Sequence, residues 1–330
     1  MIQIGKHILQ SRVVLAPMAG LTDAPFRSIC RGYGAAAATA EMLTANWQLW
    51  DSAKSRARLP STSWPEPRTV QIAGADPNQL ADAASRCVDA GAQIIDINMG
   101  CPAKKVCKKA AGSALLSDAK LVAKILTAVA RRVPVPVTLK MRTGSDPTHR
   151  NAVHIASIAE DAGVQALAIH GRTRACKFRG QAEFDTIASV VDRVSIPVFA
   201  NGDIDSPLYA KTVLKSTGAA GIMIGRGAMG QPWIFRQTNR LLATGATPEI
   251  PSAMEIRRCI STHMAAIQSF YGEENAPRFC RKHVVAYFAR LGFSKSVQRT
   301  FNLLPSTITQ EEYISECLAA LNNNNRSEAA

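Results

Sequence analysis

Eight short, uniformly apolar runs recur through the first 240 positions of this chain, at 13–16, 35–40, 69–72, 94–97, 137–141, 166–169, 196–200 and 221–224. A run without alternation suits a parallel strand buried on both faces, because an alternating strand would turn half its side chains to water. Helical spacing fills the gaps, at 78–90, 118–131, 150–162, 183–194 and 207–216. Start signals precede several of these stretches: Asp76-Pro77, Ser117-Asp118 and Ser206-Pro207 pair a capping residue with the first helical turn. A faint repeat, Asp89-Ala90-Gly91-Ala92-Gln93, Asp161-Ala162-Gly163-Val164-Gln165 and Ser216-Thr217-Gly218-Ala219-Ala220, stands before three of the apolar runs. Glycine there can end a helix in the left-handed conformation before the next strand begins. Eight strands alternating with helices over about 240 residues is the size of a (β/α)8 barrel. A doubly wound open sheet is the rival, but its Gly-x-Gly-x-x-Gly after the first strand is missing.

The pattern changes after residue 245. Thr247-Pro248-Glu249-Ile250-Pro251-Ser252 reads as a linker, followed by helical stretches near 253–270, 277–291 and 310–322 and no strand-like run. The division is a barrel over 1–245 and a small all-helical domain over 246–330, with a polar tail at 322–330 expected to fray.

Composition bounds the function classes. Hydrophobic residues make 47% of the 330 and charged residues 19%, which excludes disorder for most of the chain. An uninterrupted apolar run of about 18 residues is absent, so a membrane span is not expected. The first residues lack a basic segment followed by an apolar one, so no signal peptide is expected. The eight cysteines then read as thiols in a reducing cytoplasm. The net charge of +14 favours a polyanionic partner, nucleic acid ahead of an anionic membrane face. It is unevenly spread: residues 246–330 hold nine basic against eight acidic side chains, so +13 of the surplus lies on 1–245.

In a (β/α)8 barrel the active site lies past the C-terminal ends of the strands. In strand order those positions hold Pro17-Met18-Ala19, Glu41-Met42, Gln71, Asn98 with Cys101, Lys140 with Arg142, His170 with Arg172, Asn201-Gly202-Asp203 and Gly225-Arg226. Any one could be a turn residue or a satisfied polar group; a polar or glycine residue at nearly every strand end is not expected by chance. Gly225-Arg226-Gly227 leads towards a short helix expected at 231–236, and loops after strands 7 and 8 beside a helix start are this fold's frequent phosphate site. Lys140 would face the mouth, where a cation could steady an anionic ring such as a reduced flavin. Gln71 can donate and accept, which suits a pyrimidine edge. Cys101 follows strand 4, and a thiol with a pKa near 8.5 is mostly protonated at neutral pH and can act as an acid. Cys107 lies six residues on, but Cys-x5-Cys without a histidine pair is not a zinc spacing, and no metal is expected. Cys30, Cys87, Cys176, Cys259, Cys280 and Cys317 read as ordinary thiols. Lys104, Lys105, Lys108 and Lys109 flank Cys101. A lysine run is by default a solvated face; beside a reacting centre it is a candidate for phosphates.

Seven barrel segments carry a family resemblance: 15–26 (LAPMAGLTDAPF), 96–106 (DINMGCPAKKV), 140–144 (KMRTG), 169–174 (IHGRTR), 200–204 (ANGDI), 223–227 (MIGRG) and 232–236 (PWIFR). Arg281-Lys282-His283 and 299–302 (RTFN) extend it into the helical stretch. Together they resemble the tRNA-dihydrouridine synthases, and among these the bacterial B type (DusB). The resemblance implies an FMN-binding barrel, a helical tRNA-binding domain and NADPH as electron donor. It implies hydride transfer from flavin N5 to uracil C6, with the cysteine matching Cys101 protonating C5. The implied FMN positions are Pro17, Met18, Ala19, Gln71, Lys140, His170, Asn201, Gly202, Asp203, Gly225 and Arg226. Asn98, Arg142 and Arg172 are implied to contact flavin or uridine, and Lys104, Lys105, Arg281 and Lys282 are expected on tRNA. Two departures are Ser145, where the family often has tryptophan, and the loop Glu41-Met42-Leu43-Thr44-Ala45-Asn46. The chemistry agrees independently: hydride at C6 of a uracil conjugated to its C4 carbonyl leaves an enolate-like anion that needs an acid near C5. The rivals are a reductase of free pyrimidines and a binding protein that kept the fold. A monomer is expected.

Overall fold

The computed structural model describes residues 1–108 and 110–327, with side chains to residue 320; Lys109 and 328–330 lie outside the described residues. The chain opens with a hairpin absent from the sequence expectation, β1 (Ile2–Ile4) paired antiparallel with β2 (His7–Leu9). Then come β3 (Val13–Leu15), α1 (Ala24–Gly32), β4 (Leu43–Thr44), α2 (Ala53–Arg56), β5 (Thr69–Ala73), α3 (Pro77–Asp89) and β6 (Ile94–Met99). Next are α4 (Lys104–Cys107), α5 (Ala119–Arg132), β7 (Val137–Arg142), α6 (Ala152–Asp161), β8 (Ala166–His170) and α7 (Asp185–Arg193). The alternation ends with β9 (Val198–Asn201), α8 (Pro207–Thr217), β10 (Gly221–Ile224) and α9 (Ile234–Thr244). Four helices close the chain: α10 (Ala253–Tyr271), α11 (Ala276–Arg290), α12 (Lys295–Leu303) and α13 (Thr307–Ser327).

Eight strands run parallel in the order β3-β10-β9-β8-β7-β6-β5-β4. The segment 35–40 joins the sheet's two edges. Ala36 N donates to Val13 O at 2.8 Å, Leu15 N to Ala37 O at 2.9 Å and Ala40 N to Thr69 O at 3.0 Å. This segment was expected to be the second strand. Instead it forms one isolated bridge, Leu15 with Ala38, and the regular pairing falls on β4. The reason lies in its composition: five alanines in six residues offer little side-chain surface to hold a ladder, and bonds passing from one edge to the other interrupt it.

Two of the three capping signals act as expected. Asp76 and Ser206 accept from Gln79 N and Tyr209 N, while at the Ser117-Asp118 signal the cap is Asp118, one residue later than expected, accepting from Leu121 N. Gly91, Gly163 and Gly218 sit at φ +103°, +91° and +65°, so the repeat marks left-handed helix ends. Two helix bounds are corrected. The helix expected at 231–236 begins at Ile234 and runs to Thr244, and a 3-10 turn, Arg226–Ala228, follows β10 instead. The helix expected near 310–322 spans Thr307–Ser327, and 328–330 of the tail lie outside the described residues. Helices α1, α2, α4 and α12 were not anticipated.

The main apolar core lies between the strands and their helices. A second fills the barrel interior, where Phe199, Ala168 and Ile94 meet Ile2, Ile4 and Leu9 of the hairpin, which stoppers the base. A third lies within α10–α13 and includes Ile29 of α1 and Trp233 before α9, so the helical region packs on the barrel flank. With base and flank filled, the strand C-terminal ends remain for a site. None of the described helices is long and apolar enough to cross a membrane.

Candidate active site

The mouth holds a cavity of about 920 Å³. That volume is at the upper end of the roughly 300–1,000 Å³ of ligand pockets. All eleven positions that the resemblance assigns to FMN line it, together with Asn98, Cys101, Lys104 and Arg142. Residues far apart in the chain meet here because each ends a different strand or begins the loop behind it.

Two polar networks make up the floor. Asp96 accepts from Thr138 Oγ1 at 2.7 Å and from Gln71 Nε2 at 2.7 Å, and Gln71 Oε1 accepts from Asn98 Nδ2 at 2.8 Å. Asn98 Oδ1 in turn accepts from the N–H groups of Gly100 and Cys101, so it builds the loop that presents the thiol. Lys140 Nζ donates to Asn201 Oδ1 at 2.8 Å, and Asn201 Nδ2 donates to Met223 O at 2.7 Å. Burial pushes the Asp96 carboxyl up to about 6, against the opposing hydrogen bonds of Thr138 and Gln71 and the charge of Lys140. Burial, reinforced by Arg142, pulls Lys140 down to about 8, with Asp96 opposing. At neutral pH Lys140 is still mostly a cation, and of its three donors one is spent on Asn201.

The cysteine loop is held from two sides. The Cys101 carbonyl accepts from Ser113 N at 3.1 Å and Ser113 Oγ at 2.9 Å, and the loop's Gly100 carbonyl accepts from Arg142 Nε at 2.8 Å. Burial raises the Cys101 thiol above its ordinary value, so it stays protonated at neutral pH. His170 lies on the cavity wall with its pKa far below the ordinary range, through burial first and then the charges of Lys140, Arg142, Arg172 and Arg226. Its imidazole is therefore neutral.

Several expected contact residues have internal partners. Arg142 is 1% exposed and also donates to Thr173 O at 2.9 Å and Lys177 O at 2.8 Å. Arg172 grips both carboxylate oxygens of Asp203, at 2.9 and 2.5 Å, and the Gly180 carbonyl at 2.7 Å, and is not among the cavity-lining residues. It sets the Asp203 loop, to which Arg226 adds a bond at 3.3 Å. Arg281 Nη2 donates to Leu304 O at 3.4 Å. Lys282 donates to Gly20 O at 2.8 Å and Asp23 Oδ2 at 2.9 Å, tying α11 to the β3–α1 loop. Lys104 and Lys105 on α4 are exposed, as is Lys108.

The two departures find places. Ser145 bonds to Asp146 in a surface turn off the cavity. Glu41 accepts from Gly20 N and from Arg58 at 3.1 Å, so the unfamiliar loop after 35–40 braces the β3–α1 loop, and Met42 lines the cavity. The sequence pattern did not mark Lys177 and Phe178, which also line it, and Arg290 at the end of α11 lines it too. Nor did it mark a cluster of Asp23, His263 and His283, whose ligand-type atoms lie within 4.8 Å of one another. There the Lys282 ammonium already supplies Asp23 with a cation.

A (β/α)8 barrel with a large polar-floored cavity at the C-terminal ends of its strands has the architecture of the TIM-barrel enzymes. The dihydrouridine synthase (Dus) family model matches residues 14–324. The tRNA-dihydrouridine synthase B of Pseudomonas aeruginosa is 52% identical over 329 residues, covering 100% of this chain and 99% of that protein. That of Escherichia coli strain K12 is 52% identical over 311 residues, covering 94% and 97%. The chain belongs to the dihydrouridine synthase family, and to its tRNA-dihydrouridine synthase enzymes. Among solved structures, histamine dehydrogenase from Rhizobium sp. 4-9 is similar with a TM-score of 0.57 over 80% of this chain and 50% of that one. At 14% identity this likeness shows the barrel fold alone.

Proposed function

We propose that the enzyme reduces specific uridines of tRNA to 5,6-dihydrouridine with FMN as its cofactor and NADPH as electron donor. The observation that carries this reading is the convergence of Lys140, His170, Cys101 and the Gly225–Arg226 turn on one cavity. The residues fit a flavin: a buried cation with spare donors, an amide-lined floor, and a 3-10 turn that follows Gly225 and opens on Arg226. The first N–H groups of such a turn have no partner inside it and suit a phosphate.

Bound FMN would supply the hydride that uracil receives at C6. Lys140, Asn201, Gln71 and His170 would hold the ring, with Lys140 offsetting negative charge. Pro17, Met18, Ala19, Gly202, Asp203, Gly225 and Arg226 would form the walls and the phosphate end. Arg142 and Asn98 fix the 98–101 loop so that the Cys101 thiol stands at the cavity. The thiol, kept protonated by burial, gives its proton to uracil C5 as the C5–H bond forms, and the electron pair of the enolate-like anion is consumed there. A uracil must leave its stack to reach this depth, which an unpaired loop base does at least cost. Residues 1–245 carry the chemistry and 246–330 share the tRNA, as a monomer in the cytoplasm. The test is direct: purified protein is expected to be yellow, to be bleached by NADPH and to form dihydrouridine in tRNA. Rapid reduction of free uracil without RNA would favour a pyrimidine reductase instead.

A further inference from the structure

α11 crosses from the helical region to the barrel mouth and is fixed there at two points. Lys282 bonds to the Gly20 carbonyl and Asp23 on the β3–α1 loop. Four residues on, one turn further, Ala286 packs against the loop after β10 so closely that any side chain at Gly230, which sits at φ +70°, would collide with its backbone. Both loops wall the cavity. The helix ends at Arg290, two turns from Lys282 and so on the same face. Arg290 lines the cavity, is exposed, and its side chain makes no hydrogen bond or ion pair among the described residues. Its neighbours at the mouth are committed elsewhere: Arg142 to three carbonyls, Arg226 to Asp203, Lys140 to Asn201. The other cavity-lining cations whose side chains make no hydrogen bond or ion pair among the described residues are Lys104, on α4 after β6, and Lys177, on the loop after β8. The unpaired charges thus come from three separate elements around one opening.

From this arrangement we infer that Arg290 is a substrate-binding residue of the active site, gripping an RNA phosphodiester next to the target uridine. The inference rests on the tRNA reading above and deepens it. When a uracil enters the cavity its ribose and flanking phosphates stay at the rim, where Arg290 stands. A planar guanidinium takes a phosphate through two parallel bonds, which a lysine cannot reproduce. A residue held on a doubly anchored helix keeps its place better than one on a loop. The catalytic pocket is then composite: barrel residues handle the ring, and the last residue of α11 sets where the RNA backbone runs. The +1 balance of 246–330 is no obstacle, because one well-placed charge is enough.

The experiment compares parent, Arg290→Gln and Arg290→Lys enzymes on unmodified tRNA transcript. For Arg290→Gln, kcat/KM for dihydrouridine formation is expected to fall about ten- to a hundredfold, the scale of one charge-assisted contact. The slope of log binding constant against log salt should shrink by about one unit or less. Flavin content of the purified variant should equal the parent's, and Arg290→Lys should restore part of the loss. Undiminished kcat/KM in Arg290→Gln overturns the inference, as does a loss that merely tracks lost flavin. A parent that makes no dihydrouridine overturns the tRNA reading itself, whereas an active parent matched by Arg290→Gln overturns only this assignment.

Discussion

Asp96 with Lys140 on the cavity floor, and Asp23 with Lys282 beneath the helical region, are two acid–base sets held in opposite ways. On the floor no bond joins the charges directly: Asp96 is held by Thr138 and Gln71, and Lys140 by Asn201. Burial dominates, and the two groups are drawn towards each other on the pH scale, to about 6 and about 8. Under the helices, Asp23 is bonded directly by Lys282, by His283 at 3.4 Å and by Tyr271 at 3.2 Å. Burial pushes its carboxyl up, but the bonds to His283 and Lys282 and their charges hold it well below the usual carboxylate range. The difference separates a set that can respond to a ligand near neutral pH from one locked into a joint. A site for a charged ring benefits from the first, and a docked helix from the second.

Four measurements can break or sharpen that contrast. The largest effect is expected at Cys101, the acid proposed to act above the floor. Cys101→Ala should keep its flavin yet lose about 10²–10⁴-fold in dihydrouridine formation, the usual scale of a positioned acid. Full activity in that variant would remove Cys101 as the acid.

The floor should also titrate. The Lys140 pKa lies below its ordinary 10.5, so the ammonium is present below about pH 8 and disappears above it. Dihydrouridine formation should therefore fall by about tenfold per pH unit above 8, and Lys140→Arg should move that limb upwards. A flat profile between pH 7 and 9.5 would mean the cation is not needed (the Cys101 thiol, raised by burial, contributes no earlier loss).

The joint should instead show in stability. Asp23 has a depressed pKa, so its contribution is present above the ordinary carboxylate range and is lost as pH falls through it and below. Lys282→Met should cost about 1–3 kcal/mol at pH 7, read as a lower thermal midpoint, and should weaken the acid dependence. An unchanged midpoint would show that the bonds to Gly20 and Asp23 do not hold the helix. If Lys282 works inwards, its replacement should leave the salt slope of tRNA binding unaltered. The smallest effect is at the exposed rim, where Lys105→Gln should lower that slope by about one unit or less. No change would remove Lys105 from the RNA interface.

The apolar runs, the caps at Asp76, Asp118 and Ser206, and the left-handed glycines 91, 163 and 218 were legible because each depends on neighbours within a turn or two. The mouth residues were legible one step further out, because strand ends in a barrel converge and the strands themselves could be read. Residues 35–40 were not. Their apolar composition signals a strand, but whether a ladder forms depends on both edges they join. The hairpin 2–9 escaped notice because three-residue strands leave too short a pattern.

The chain's local chemistry thus determined the alternation, the helix ends and which residue types would stand at the mouth. Tertiary packing alone decided the partners. It turned Lys282 inwards, committed Arg142 and Arg172 to the walls, and carried Arg290 to the cavity. The reason is separation: Lys282 meets Asp23 across 259 positions. No periodicity spans such a distance, and only the docking of α11 on the barrel selects which charges find partners and which stay free for a substrate.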